Sequence, residues 1–243
     1  MDIRPYQHSG EDKKQQIEQM FDHIAGHYDF LNHLLSFNID HLWRKKAIKI
    51  LKSYHPGNVL DIGTGTGDFA IAAAKTGAKE IVGFDLSEQM IQAGIKKVKQ
   101  LGLDKTIRFQ KGDSENMPFR ENSFDAAIAA FSVRNFTHLR KGLEETFRVL
   151  KPGGVSIILE FSKPKYFLFR QIYNFYFLHI LPGIGSLFTK DKQAYHYLPK
   201  SVMNFPDAEN FIRIYSQAGF SEIKQKRLTG GIASIYIGIK KTL

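Results

Sequence analysis

The chain has 243 residues and a mass of 27.8 kDa, is 43% hydrophobic, and carries a net charge of +10 with a pI near 9.6. That much apolar chain can bury a substantial core, and the composition fits one α/β domain, or one domain with appendages. The absence of cysteine excludes disulfides, thiolate zinc sites and a cysteine nucleophile.

The opening "MDIRPYQHSGEDKKQQ" is polar and lacks an apolar signal core, so a cytoplasmic protein is expected. Residues 11–53 read as helical. Within them "DHLWRKKAIKILK" puts Trp43, Ala47, Ile50 and Leu51 on one stripe, with Asp40 as the expected N-cap. Arg44, Lys45, Lys46, Lys49 and Lys52 make the rest basic. Such a face is either a solvated surface or a contact for acidic lipid head groups. Apolar strand-like runs then alternate with amphipathic helices: "NVLDIG", "DFAIAAAKTG", "EIVGFD", "SEQMIQAGIKKVKQLG", "IRFQKGD", "FDAAIAAF", "LRKGLEETFRVL" and "GVSIILEF". This alternation predicts a parallel sheet covered on both faces. An aromatic stretch, residues 164–199, interrupts it, and the chain closes with a helix, "DAENFIRIYSQAGF", and two strand-like runs, "SEIKQKRL" and "SIYIGIKK".

The turn after the first strand, "DIGTGTGD", is G-x-G-x-G at Gly63, Gly65 and Gly67, preceded by Asp61. It departs from the dinucleotide fingerprint, which needs glycine where Asp68 stands. A glycine turn opening a helix lets a ligand approach the backbone and offers donor amides to a polar or anionic group. Asp85 closes the second strand, where a carboxylate can accept both hydroxyls of a ribose. Asp113, with Ser114, follows the third and suits an adenine edge. Three successive strands ending at one rim in glycine or acid predict a nucleoside site.

On these residues the chain resembles the class I S-adenosylmethionine-dependent methyltransferases, through "VLDIGTGTGD", "GFDLSEQM", "GDSENMPF", "FDAAIAAF" and "RVLKPGG". Within that class it is most similar to the C-methyltransferases of menaquinone and ubiquinone biosynthesis. That branch is indicated by "YDFLNHLLSFNIDHLWRKK", "VRN", "EFSKP", "LPGIGSLF", "YHYLPKSV" and "LTGGIASIYIG", a likeness running from about Tyr28 to Lys240. The resemblance implies a Rossmann-like α/β fold: a seven-stranded, mostly parallel sheet with its last strand antiparallel, helices on both faces and an N-terminal helical lid. The expected division is a lid over 1–53 and a methyltransferase domain over 54–243, with an aromatic substrate cover inserted at 164–206. The implied cofactor is S-adenosylmethionine, contacted by Thr66, Asp85, Asp113, Ser114 and position 130. Ala130 stands where a serine is common, which leaves a backbone contact only, and Asp113 stands where some members have asparagine.

Methyl transfer to a ring carbon is an in-line displacement that depends on positioning two bound partners. A quinol becomes a good carbon nucleophile once a hydroxyl ionises, so a group that favours the phenolate is required. Arg134 and Asn135, just beyond the fourth strand, are the expected catalytic pair. Arginine stays protonated, so its charge would stabilise an oxyanion rather than act as a base; the competing reading is a plain ion pair with a nearby carboxylate. Tyr28, Tyr195 and His196 are candidate substrate contacts, with Asp29 and His138 behind them. No metal is expected, since the nine histidines show no convincing ligand spacing.

The stretch "YFLFRQIYNFYFLHILPGIGSLF", residues 166–188, is too interrupted by polar residues and proline to span a bilayer. It reads either as aromatic core or as a greasy cover over the substrate that rests on the membrane interface. The expected reaction is C-methylation of demethylmenaquinol, the partner a polyprenylated quinol, the membrane contact peripheral. Nucleic acid is not expected, because an apolar cover stands where a basic groove would be needed. A ubiquinone-precursor quinol, a sterol or phenol substrate, and a non-enzymatic binding protein of the same fold remain as alternatives. Oligomeric state stays open, a homodimer included.

Overall fold

The computed structural model describes residues 3–6, 9–164, 167–180 and 192–241. The seven strand-like runs form β1 (Asn58–Ile62), β2 (Glu80–Asp85), β3 (Ile107–Lys111), β4 (Phe124–Ala130), β5 (Leu150–Phe161), β6 (Ser221–Leu228) and β7 (Ala233–Ile239). They make one sheet in the order β3-β2-β1-β4-β5-β7-β6. Pairing is parallel from β3 to β5, and β7 runs antiparallel to both neighbours. The order reverses between β1 and β4, which opens a crevice at the carboxyl ends of those strands.

The helices are α1 (Lys13–Ile24), α2 (Tyr28–Leu35), α3 (Ile39–Lys52), α4 (Asp68–Ala73), α5 (Glu88–Gln100), α6 (Leu139–Val149), α7 (Phe167–Phe175), α8 (Lys192–Asn204) and α9 (Glu209–Gln217). The two-residue period of the strands sorts their side chains between two cores. Val59, Ile81 and Ile157 face one core with Trp43 and Leu51 of α3 and Phe69 of α4. Leu60, Val82 and Ile158 face the other with Leu143 of α6 and Phe211 and Tyr215 of α9. A third cluster lies off the sheet: Ile17, Met20 and Ile24 of α1 pack with Met90 of α5, Tyr173 of α7, and Tyr197 and Val202 of α8.

Two local expectations change, and a third falls partly outside the described residues. Asp40 is not the N-cap of α3; Asn38, in the left-handed region at φ 58°, precedes the helix. Asp40 instead lies buried in its first turn, accepting from Ser36 Oγ at 2.6 Å and pairing with Arg44. Arg44 therefore leaves the basic surface: it is 9% exposed, while Lys45, Lys46 and Lys49 remain exposed. Of the aromatic stretch 166–188, α7 and a π-helical turn, Tyr176–Ile180, are described, whereas residues 181–191 lie outside the described residues.

Candidate active site

The crevice holds a cavity whose floor is the rim of the sheet. Gly63 and Gly65 of the turn after β1 line it, with Asp85 at the end of β2, Asp113 and Ser114 beyond β3, and Ala130 at the end of β4. Gly63 sits at φ 63°, and a Cβ there would come within 2.3 Å of Ser132 Cβ, so the bend tolerates no side chain. Asp85 Oδ2 accepts from the Gly65 amide at 2.7 Å, and its Oδ1 from the Ser87 amide at 2.9 Å. Burial pushes its carboxyl above the usual range, and those two amides hold it back. Ser87 in turn caps α5, accepting from the Met90 amide. Asp61, fully buried beneath the turn, accepts from Thr64 Oγ1 at 2.6 Å, and desolvation lifts its pKa to about 7.

The roof comes from α1, through Lys14, Ile17 and Phe21, and from Tyr28 at the start of α2. Nothing in the local pattern of α1 singles those residues out; only the long-range docking of the helix does. Lys14 Nζ reaches Asp113 Oδ2 at 2.5 Å. Glu115, 3% exposed, accepts from the amides of Thr137 and His138 at 2.6 and 3.1 Å, tying the loop after β3 to the start of α6. Thr66 is engaged elsewhere: it is not part of the cavity wall, its hydroxyl donates to Asp29 Oδ1 at 2.5 Å, and it accepts from Lys97 Nζ at 3.2 Å. Asp29 thus ties the first turn of α2 to the glycine turn.

A second cavity adjoins the first. Its wall is aromatic, with Trp43, Phe131, Phe161, Tyr173 and Tyr176, and carries two guanidinium groups, Arg44 and Arg134. Tyr28 and Phe131 line both cavities and mark where they meet. Burial raises the pKa of the Tyr28 hydroxyl, against the pull of the Arg134 charge. Arg134 Nη1 donates to the Phe131 carbonyl and lies 3.1 Å from Glu160 Oε1. Its guanidinium sits 5.5 Å from the centre of the Phe161 ring. The side chains of Arg134 and Glu160 are 6% and 0% exposed, and Arg134 Nε makes no hydrogen bond. The carboxylate partner thus lies at the end of β5, and the arginine still borders the cavity.

Asn135 lines the first cavity, and its Oδ1 accepts from Tyr197 OH at 3.2 Å. Of the "YHYLP" segment, α8 turns Tyr197 inward, 4% exposed, and leaves His196 exposed and in neither cavity. Tyr195 lies on the same helix, its side chain outside the described residues. His138 occupies the N-cap position of α6 and borders neither cavity. Donor atoms of His33, Asp40 and His41 lie within 4.8 Å of one another. Asp40 there already answers Arg44 and Ser36, and the two imidazoles stack at 4.1 Å, an arrangement of neutralised charge rather than of open metal ligands.

A crevice lined by glycines and carboxylates beside a cationic aromatic pocket suits a transfer between two bound molecules, and the known proteins this chain resembles fit that reading. The ubiE/COQ5 methyltransferase family model matches residues 9–240. A demethylmenaquinone methyltransferase from Bacteroides fragilis is 44% identical over 239 residues, 98% of this chain and 97% of that protein. The ubiquinone/menaquinone biosynthesis C-methyltransferase UbiE of Geotalea uraniireducens is 46% identical over 231 residues, 94% and 98% of the two chains. Among solved structures, an S-adenosylmethionine-dependent methyltransferase from Thermotoga maritima, described as a possible histamine N-methyltransferase, superposes with a TM-score of 0.66 at 23% identity. It covers 93% of this chain and 100% of that one. The [4+2]-cyclase SpnF superposes equally well, at 0.68 and 18% identity over 95% and 97% of the chains. At such identities the likeness is one of fold, and the fold serves more than one chemistry.

Proposed function

The chain belongs to the ubiE/COQ5 methyltransferase family, and from that premise we propose that its first cavity takes S-adenosylmethionine and its second the ring of a demethylmenaquinol. The protein is an S-adenosylmethionine-dependent methyltransferase of quinone biosynthesis, and its reaction is C-methylation of demethylmenaquinol to menaquinol. What carries the assignment of the two ligands is the junction at Tyr28 and Phe131, where a wall of glycines and a carboxylate gives way to one of aromatic rings and arginine.

The residues present fit the cofactor. Beyond the backbone amides it holds, the Asp85 carboxylate keeps lone-pair capacity for a ribose hydroxyl. The side-chain-free bend at Gly63 and Gly65 admits the ligand against the backbone. When bound, S-adenosylmethionine supplies a methyl group on a positively charged sulfur, which a carbon nucleophile displaces. The rest falls to the chain's own groups.

A quinol ring in the second cavity lies among aromatic faces that exclude water, so the Arg134 charge acts with little screening on an ionising ring hydroxyl. The phenolate makes the adjacent ring carbon nucleophilic. Once that carbon has taken the methyl group, its hydrogen leaves as a proton to solvent, its bonding electrons return to the ring, and the ring regains aromaticity as a phenolate. Arg134, protonated throughout, stabilises the oxyanion on either side of that step. Tyr197, donating to Asn135 Oδ1, holds that amide in the wall of the first cavity, on the cofactor's side of the junction. Among the described residues no helix is long and apolar enough to cross a membrane; a substrate with a polyprenyl tail calls for peripheral contact with the bilayer. A ubiquinone-precursor quinol is the second substrate reading, favoured by the names of relatives such as that of Geotalea.

The test is mass spectrometry of the purified protein incubated with S-adenosylmethionine and chemically reduced demethylmenaquinol, with a demethylated ubiquinol precursor in parallel. The expected product is heavier by one methylene and forms only from the reduced ring. No product from either quinol, with S-adenosylmethionine still bound, removes the quinol reading.

A further inference from the structure

Eight of the eleven large apolar side chains exposed among the described residues sit between Phe30 and Leu42 or on α7 and its π-helical turn. Phe30 and Leu34, 56% and 41% exposed, stand four apart on α2, and Phe37, 70% exposed, follows in the turn beyond that helix. Phe175 and Leu178, 61% and 45% exposed, flank Tyr176 on the other side. The two sets meet where the Phe37 ring lies 5.7 Å from that of Tyr176, and both of these residues line the second cavity. The greasy patch therefore rims the mouth of the ring pocket. Scattered exposed apolar residues need no explanation, but a concentration around one opening marks an interaction site.

Charge says what kind. Next to the patch, α3 exposes Lys45, Lys46 and Lys49, and its only acid, Asp40, is buried. Arg170 is exposed on α7. Apolar side chains rimmed by cations complement an anionic bilayer: rings enter the acyl boundary while ammonium groups meet acidic head groups.

We propose that this patch seats the enzyme on an anionic lipid surface, with the mouth of the second cavity opening into the bilayer. The inference rests on a polyprenylated quinol being the substrate. Such a tail must leave the ring pocket through an apolar exit. A protein partner sealing the Phe37–Tyr176 rim would block that route, whereas lipid continues it.

The test is vesicle flotation of the full-length protein, with phosphatidylglycerol–phosphatidylcholine vesicles against phosphatidylcholine alone. The parent chain is expected to float with the anionic vesicles. Each basic residue near such a surface is worth about fivefold in partition, so Lys45→Glu with Lys46→Glu should lower binding more than tenfold. Leu42→Ser with Phe175→Ser, surface positions that line neither cavity, should lower it comparably. Turnover of a tail-less quinol in plain buffer is read on the same variants and should not change. Parent protein left in the supernatant, or binding that ignores both double substitutions, overturns the proposal; so does a dimer in solution that only Leu42→Ser with Phe175→Ser disrupts, unaccompanied by flotation. Loss of tail-less turnover by the parent protein would instead overturn the quinol reading, and the two failures are thereby distinguished.

Discussion

Replacing Glu160 by glutamine removes the carboxylate that, among the described residues, pairs with Arg134, and nearly nothing else. Glu160 is fully buried, accepts from the Phe161 amide at 2.9 Å and the Arg134 amide at 3.3 Å, and pairs with the guanidinium at 3.1 Å. Burial pushes its carboxyl upward and the Arg134 charge draws it back. Removing one member of a buried pair leaves the other unanswered, at a cost of about 3–5 kcal/mol. For a chain of this size that is a fall of about 10 °C in melting temperature. Turnover should fall as well, since the guanidinium loses the anchor that aims it past Phe161 into the second cavity. The control is the double change Arg134→Met with Glu160→Leu, in which an apolar pair replaces the ionic one. It should recover most of the stability and none of the turnover. The assays are thermal denaturation and single-turnover methylation of reduced demethylmenaquinol. Turnover surviving in the double variant would show that the Arg134 charge takes no part in the chemistry.

Asp85→Ala removes charge-assisted bonds to the cofactor worth about 1.5–3 kcal/mol each, so S-adenosylmethionine affinity measured by calorimetry should drop at least tenfold; unchanged affinity takes Asp85 out of the site. Gly63→Ala puts a methyl 2.3 Å from Ser132 Cβ at a positive φ, and both melting temperature and cofactor binding should fall, with parent-like values for both counting against the tight-turn argument. Asp61→Asn reports the buried carboxyl. Its folded pKa of about 7 exceeds the unfolded value of about 3.9, so between those values the folded chain binds the extra proton and loses stability as pH rises, by at most about 4 kcal/mol above pH 7. Asparagine does not titrate, so the stability of the variant relative to the parent should climb from pH 4 to 8, and a difference flat with pH refutes the shift.

The sheet was legible because its strands are continuous apolar runs, and Gly63, Gly65 and Asp85 were legible because each sits at a strand's end. The functional register of α8 was not. "YHYLP" drew attention to His196 by chemistry, yet helix rotation turns Tyr197 onto Asn135 and leaves His196 in solvent. Thr66 lies in the right loop, but its hydroxyl is claimed by Asp29 from 37 residues away, a pairing that no local pattern encodes. Two signals were present and unused. A glutamate inside the apolar run "SIILEF" can only be buried, and a buried charge demands a partner, which points from Glu160 to Arg134. Asp40 and Arg44, four apart on one helix, are spaced to pair, and that spacing takes Arg44 off the basic surface.

The N-terminal segment belongs to both ligand sites: α1 roofs the first cavity, Tyr28 borders both, and the residues from Asn32 to Arg44 wall the second. It is tied down by Lys14 to Asp113, Glu18 to Lys111, and Asp22 to the Ser87 hydroxyl. The first two pairs are between a quarter and a half exposed, and pairs of that kind contribute about 0–1 kcal/mol. Against them stand Ile17, Met20 and Ile24, each under 7% exposed. Burial of such side chains is worth about 1.5–3 kcal/mol apiece. The lid is therefore held by its apolar face on Met90, Tyr197 and Val202, and the ion pairs fix its register. Salt that screens the pairs would leave it closed. Moving α1 off the first cavity means parting that apolar face, which joins it to Tyr173 of α7 and to Tyr197 and Val202 of α8.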